Sequence, residues 1–221
     1  VLLAATATKA SLYILARILF SVFENSENLI NNTLVFVILP LSIIAMFAGT
    51  IMAIYEKDIK RLLAHSSVAQ IGYITLAFAI GTKASIAAGF IHMFNHALIK
   101  GGLFIAITSI GFYIKKRVTI NNLSGLGRAM PITFFCFVLC SLSLAGLPLT
   151  AGFISKLYLI KASISADGIW IAILILISSA LSVVYLWKMI EIMWMREGRK
   201  IIINENPKIY LSLIIITFLN I

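Results

Sequence analysis

The chain has 221 residues, of which 61% are hydrophobic and 12% charged, whereas a soluble domain carries roughly 25% charged and about half apolar residues. This surplus of apolar side chains excludes an ordinary water-soluble globule and a disordered chain alike, and makes lipid the solvent that much of the surface must face. A net charge of +10 would suit nucleic acid if the cations formed one patch, but apolar runs separate them, so no nucleic-acid partner is expected.

A membrane-spanning helix needs about 20 mostly apolar residues, because a rise of about 1.5 Å per residue must cross roughly 30 Å of hydrocarbon. Seven stretches qualify or nearly so: residues 1–22, 34–55, 62–80, 84–112, 130–163, 169–195 and 208–221. The expected fold class is therefore all-α, a polytopic (multi-pass) membrane protein of about seven transmembrane helices. The first stretch opens at Val1 already inside an apolar pattern, without a basic leader and cleavage site, so the sequence reads as a fragment or a split gene product. The fifth is too long for one straight span and holds Ala145-Gly146-Leu147-Pro148 near its middle. Proline removes an amide donor and clashes with the preceding turn, so this helix is expected to be discontinuous, broken at Gly146 and Pro148. Cys136 and Cys140 lie four apart in its first half and read as small buried residues, since no other cysteine is present to pair with them. The seventh stretch is short and reads as a truncated further helix.

The basic residues sort by loop. Lys57, Lys60 and Arg61 follow the second stretch, Lys115, Lys116, Arg117 and Arg128 the fourth, and Arg196, Arg199, Lys200 and Lys208 the sixth. The alternate loops hold Lys83 together with the acids Glu24, Glu27 and Asp167. Eleven cations against one on alternating loops predict a cytoplasmic location for the first set, by the excess of Lys and Arg that cytoplasmic loops carry. The positive charge is thus topological.

Six cations remain inside the stretches: Lys9, Arg17, Lys100, Lys156, Lys161 and Lys188. A lysine at mid-bilayer costs about 2.5–3.5 kcal/mol on the lenient insertion scale, so it must snorkel, pair or work in a polar cavity. Arg17, Lys161 and Lys188 lie within reach of a helix end and are read as snorkelling. Lys9 stands beside Thr6 and Thr8, and Lys156 follows the break at Gly146. Lys100 sits mid-helix, with His92 and His96 at successive four-residue steps, so all three share one face. Two histidines at this spacing could ligate a metal, but Met93 stands where a zinc helix needs glutamate and no carboxylate or cysteine nearby completes a ligand set; no metal or cofactor is expected. Polar glue between helices is one reading of the row. A proton relay is the other, since imidazole titrates near neutrality and a desolvated lysine can be brought into the same range.

The stretch Asp58-Ile59-Lys60-Arg61-Leu62-Leu63-Ala64-His65-Ser66-Ser67-Val68-Ala69-Gln70-Ile71-Gly72-Tyr73, the His92 to Lys100 run, Ser124-Gly125-Leu126 and Lys156 together resemble the proton-conducting antiporter family. That family comprises the large membrane subunits of respiratory complex I, the Mrp-type sodium/proton antiporters and the membrane-bound hydrogenases. The resemblance implies a fold of about fourteen helices with two inverted five-helix repeats, each holding one broken helix. Residues 1–22 would be the last helix of the first repeat, 34–195 the second repeat and 208–221 the start of a further helix, all within one transmembrane domain, 1–221. It also implies a proton relay through Lys9, His92, His96, Lys100 and Lys156 and membership of a hetero-oligomeric complex in the lipid bilayer of the bacterial inner membrane. The family's acidic residue and partner lysine of the first repeat have no counterpart here and are expected on further sequence or a partner. Within the family, the combination of Lys9, both histidines and Gly152-Phe153-Ile154-Ser155-Lys156 most resembles the D-type component of the Mrp antiporters, which implies exchange of protons for a monovalent cation such as Na+. A proton-pumping subunit of an NADH:quinone oxidoreductase or a hydrogenase is the alternative.

Overall fold

The computed structural model describes residues 6–22, 33–114, 117–196 and 207–220. Helix α1 spans Thr8–Arg17 and runs on as a π-helical turn over Ile18–Val22; a similar turn, Leu34–Ile38, leads into α2, Leu39–Tyr55. Helices α3 (Ile59–Ile80) and α4 (Lys83–Ile114) follow. A 3-10 turn at Ile120–Leu123 and the one-turn α5 (Leu126–Ala129) lead to α6 (Pro131–Ala145), α7 (Ala151–Ser165), α8 (Ile169–Trp194) and α9 (Pro207–Phe218). Four helical stretches are each long and apolar enough to cross a membrane: Leu34–Tyr55, Ile59–Ile80, Lys83–Ile114 and Ile169–Trp194. Helices α6 and α7 are half-length pieces of the expected fifth stretch, and α1 and α9 are shorter still.

Local chemistry sets the helix limits. Asp58 caps α3, its carboxylate accepting from the amides of Lys60 at 2.9 Å and Arg61 at 3.3 Å, so the helix begins three residues before Leu62, where the apolar run starts. Gly81, at φ +74°, ends it. The α2–α3 pair packs backbone to backbone. A Cβ on Gly49 would stand 2.5 Å from the Ala69 amide nitrogen, and one on Gly72 2.7 Å from that of Met46. Small residues at a helix crossing are the usual means of packing in lipid, where association gains little from hydrophobicity.

The interruption between α6 and α7 contains both Gly146 and Pro148, and Gly146 is the residue that ends α6. Gly146 adopts φ +83° and its amide returns to Leu142 O at 3.0 Å, while the Leu147 amide bonds the same carbonyl at 3.1 Å, which closes the helix before proline is reached. Pro148 lies two residues beyond, exposed in the linker. Thr150 then caps α7, its hydroxyl accepting from the Phe153 amide.

Three of the cationic segments meet at one end of the bundle. Ile59 N donates to Val118 O and Ile120 N to Lys57 O, Arg117 lies 3.5 Å from Asp58, and Lys57, Thr119, Lys188 and Arg196 line one groove. Lys115, Lys116, Arg199, Lys200, Glu24 and Glu27 lie outside the described residues.

Candidate functional site

The six cations of the apolar stretches divide cleanly. Arg17, Lys161 and Lys188 are exposed on the helix surfaces, whereas Lys9, Lys100 and Lys156 are buried, Lys100 completely. His92 and His96 are buried beside them, their rings parallel with centroids 6.5 Å apart. His96 has Lys9, Lys100, His92 and Lys156 within electrostatic reach, and His92 has Lys156. The five residues therefore form one polar row, drawn from α1, α4 and α7, through the interior of a bundle whose other buried polar side chains, among the described residues, are uncharged.

Each station is held differently. The Lys100 ammonium donates to Leu63 O at 2.6 Å and to the Ser66 hydroxyl, both on α3. Lys156 reaches back across the break: Nζ donates to Leu144 O at 3.0 Å, Ala145 O at 2.9 Å and Ser179 Oγ at 3.0 Å, and stands 5.1 Å from the centre of the Tyr73 ring. Those two carbonyls belong to the last turn of α6, where the unpaired peptide oxygens and the helix dipole both favour a cation. The interruption thus supplies, at the depth of the apolar helices, the acceptors that a buried ammonium needs. Gly152 permits this closeness, because a Cβ there would fall on the Ser143 carbonyl.

His92 is clasped from two sides, with Nε2 2.9 Å from Gln70 Oε1 on α3 and Nδ1 2.8 Å from Ser155 Oγ on α7. His96 differs, for neither of its ring nitrogens has a hydrogen-bond partner among the described residues. Asn95, one residue before His96, donates to Ala151 O at 2.8 Å and pins α4 to the first residue of α7.

Comparison with known proteins places this arrangement. Residues 1–182 match the family model described as NADH:quinone oxidoreductase/Mrp antiporter, TM. The chain belongs to this family.

Among its relatives, NADH-quinone oxidoreductase subunit N of Desulforudis audaxviator (strain MP104C) is 39% identical over 86% of the chain and 37% of that protein. Further subunit N proteins match as well. A chain in the structure of the membrane-bound sulfane sulfur reductase, an archaeal respiratory membrane complex, superposes with a TM-score of 0.85 at 30% identity, over 99% of this chain and 44% of that one. A chain of the Mrp complex from Dietzia sp. DQ12-45-1b gives 0.79 at 28% identity, over 92% and 37%. The chain spans about two-fifths of the length of the proteins it matches. It is an antiporter-like, multi-pass membrane chain of the kind found in complex I-type and Mrp-type assemblies. Within that kind the comparisons favour the complex I alternative over the D-type Mrp reading.

Gln70, Ser155 and Ser179 are contacts that sequence reasoning did not single out. The signal available was the cost of placing an amide or a hydroxyl in an apolar span. It marks such residues as needing partners without saying which.

Proposed function

We propose that this chain is the proton-conducting part of an antiporter-like membrane subunit in a complex I-type NADH:quinone oxidoreductase, with protons passed along Lys9, Lys100, His96, His92 and Lys156. The carrying observation is that Lys100 and Lys156, both buried among apolar helices, are held by neutral oxygens. A lysine clamped by a carboxylate keeps its proton. One held by carbonyls and hydroxyls can release it without leaving an isolated buried anion. Adjacent stations repel one another when both are charged, so a proton arriving at one end of the row favours departure at the other.

Similarity to subunit N proteins supports the complex I assignment. By the family resemblance, residues 34–195 form the second repeat and residues 1–22 close the first; by the excess of Lys and Arg on it, the cationic end faces the cytoplasm. The chain acts inside a hetero-oligomeric membrane complex, with redox catalysis on other subunits. A second reading, exchange of protons for Na+ in an Mrp-type assembly, is favoured by the likeness to the Mrp complex chain.

The test is NADH-driven acidification by the assembled complex in proteoliposomes. Lys100→Ala removes the central carrier, and Lys100→Arg keeps the charge but cannot release a proton at usable pH. Both are expected to abolish proton translocation at normal protein level. Near-normal pumping by Lys100→Arg would leave Lys100 as a fixed counter-charge and end the relay reading. A proton flux that requires Na+ and not NADH would transfer the assignment to the antiporter class.

A further inference from the structure

Two histidines share the polar row, but they are not equivalent. Ser155 Oγ lies 2.8 Å from His92 Nδ1 and also 3.0 Å from Gly152 O. A hydroxyl has one hydrogen and two lone pairs, so it can face either acceptor. With a neutral His92, Nε2–H donates to the Gln70 carbonyl oxygen and Nδ1 accepts from the Ser155 hydroxyl. With a protonated His92, Nε2–H still donates to Gln70, Nδ1–H donates to Ser155 Oγ, and the hydroxyl hydrogen turns to Gly152 O. Both ring nitrogens and the hydroxyl are satisfied in both states, and the only motion is rotation about one C–O bond. No backbone shift is needed, and atoms balance, since the added proton resides on Nδ1.

We propose that the Gln70–Ser155 clasp makes His92, rather than His96, the histidine of the row on which a transferred proton is held, with Ser155 as its positioning residue and reversible hydroxyl rotor. This deepens the relay reading above and rests on it. Three features support the assignment. The clasp joins α3 and α7 across α4, so the ring is fixed from both sides. Ser155 precedes Lys156 in the chain, so the rotor is rigidly tied to the next station. His96, equally buried, finds no fixed oxygen among the described residues for either ring nitrogen, and a proton placed there would have nothing fixed to hold it.

The test uses the intact complex. Nitrogen-15 spectra of histidine-labelled complex, with His92 picked out by difference against His92→Asn, are expected to show a neutral ring protonated at Nε2 and hydrogen-bonded at Nδ1. In proteoliposomes, Ser155→Ala should slow proton translocation about ten- to a hundredfold, the range set by loss of one hydrogen bond to a charged group. Ser155→Thr, which keeps the hydroxyl, should restore most of the rate, and His96→Asn should be milder than His92→Asn. A ring protonated at Nδ1 would overturn the clasp, as would wild-type pumping by Ser155→Ala or a threonine variant as slow as alanine. Should Ser155→Ala fail to accumulate, the spectrum of the unsubstituted complex still decides. If Lys100→Arg blocks pumping while Ser155→Ala does not, the clasp alone fails; if Lys100→Arg pumps normally, the relay itself has failed.

Discussion

Ser179 connects the lysine of the break to one of its two backbone partners, because its hydroxyl donates to Ala145 O at 2.7 Å while accepting from Lys156. Ser179→Ala therefore removes one acceptor from a buried ammonium and one donor from a carbonyl of α6. About 1–3 kcal/mol of stability should be lost, read as a lower SDS midpoint for unfolding in mixed micelles. Glu56 lies in the loop after α2, where it accepts backbone hydrogen bonds from Asp58 at 3.0 Å and Lys57 at 2.8 Å. Those bonds, with Arg61 and His65 nearby, hold its carboxyl below the usual glutamate range. A carboxyl lowered in the folded state stabilises the fold above its ordinary value of about 4.5, and that contribution vanishes as pH falls through the lowered value. Glu56→Gln should then destabilise the protein near pH 7 and matter progressively less as pH falls below the ordinary glutamate range, measured by the same unfolding assay. At this scale, the depth of a lysine within its apolar run was legible in the sequence, and it separates buried Lys9, Lys100 and Lys156 from exposed Arg17, Lys161 and Lys188. The oxygens around each lysine were not legible. Gln70 and His92 are 22 residues apart, and His92 and Ser155 are 63 apart, and no local pattern encodes a meeting across three helices.

Among the elements, the broken helix carries the most information. Its position was readable from Gly146 and Pro148, but periodicity and propensity do not say which of two adjacent helix-stopping residues acts first. The structure assigns the stop to the left-handed Gly146, so Gly146→Val should cost about 1–2 kcal/mol from that backbone conformation alone. Leu149 has a positive φ of 71° with a full side chain and is 88% exposed. Leu149→Gly should therefore be neutral or stabilising, an unusual outcome for glycine in a linker. Gly152→Ala should be worse than either, since its methyl would meet the Ser143 carbonyl and push α7 away from the turn that holds Lys156. Comparing the unfolding midpoints of the three variants orders these effects directly. An order with Gly152→Ala mildest would show that the two half-helices are not closely abutted.

For the whole molecule, alternating charge foretold which loops share an end, because insertion physics acts on each loop separately and needs no knowledge of packing. Subgroup membership was not recoverable the same way: the lysine and histidine pattern pointed to the D-type Mrp component, whereas the matched relatives include several subunit N proteins. The layout has a direct check. In a background with Cys136 and Cys140 replaced, single cysteines near Asn121 and near Lys83 should react with impermeant reagents from opposite sides of the membrane; labelling from one side would refute it. The stitched cationic end also bears on proteolysis. Lysine- and arginine-rich loops are the natural targets of trypsin, which must draw the scissile carbonyl into an extended strand. Here the carbonyl of Lys57 accepts from the Ile120 amide and that of Arg117 from the Asn122 side chain. Both carbonyls are already engaged, so cleavage after Lys57 and after Arg117 should be slow until those hydrogen bonds have opened.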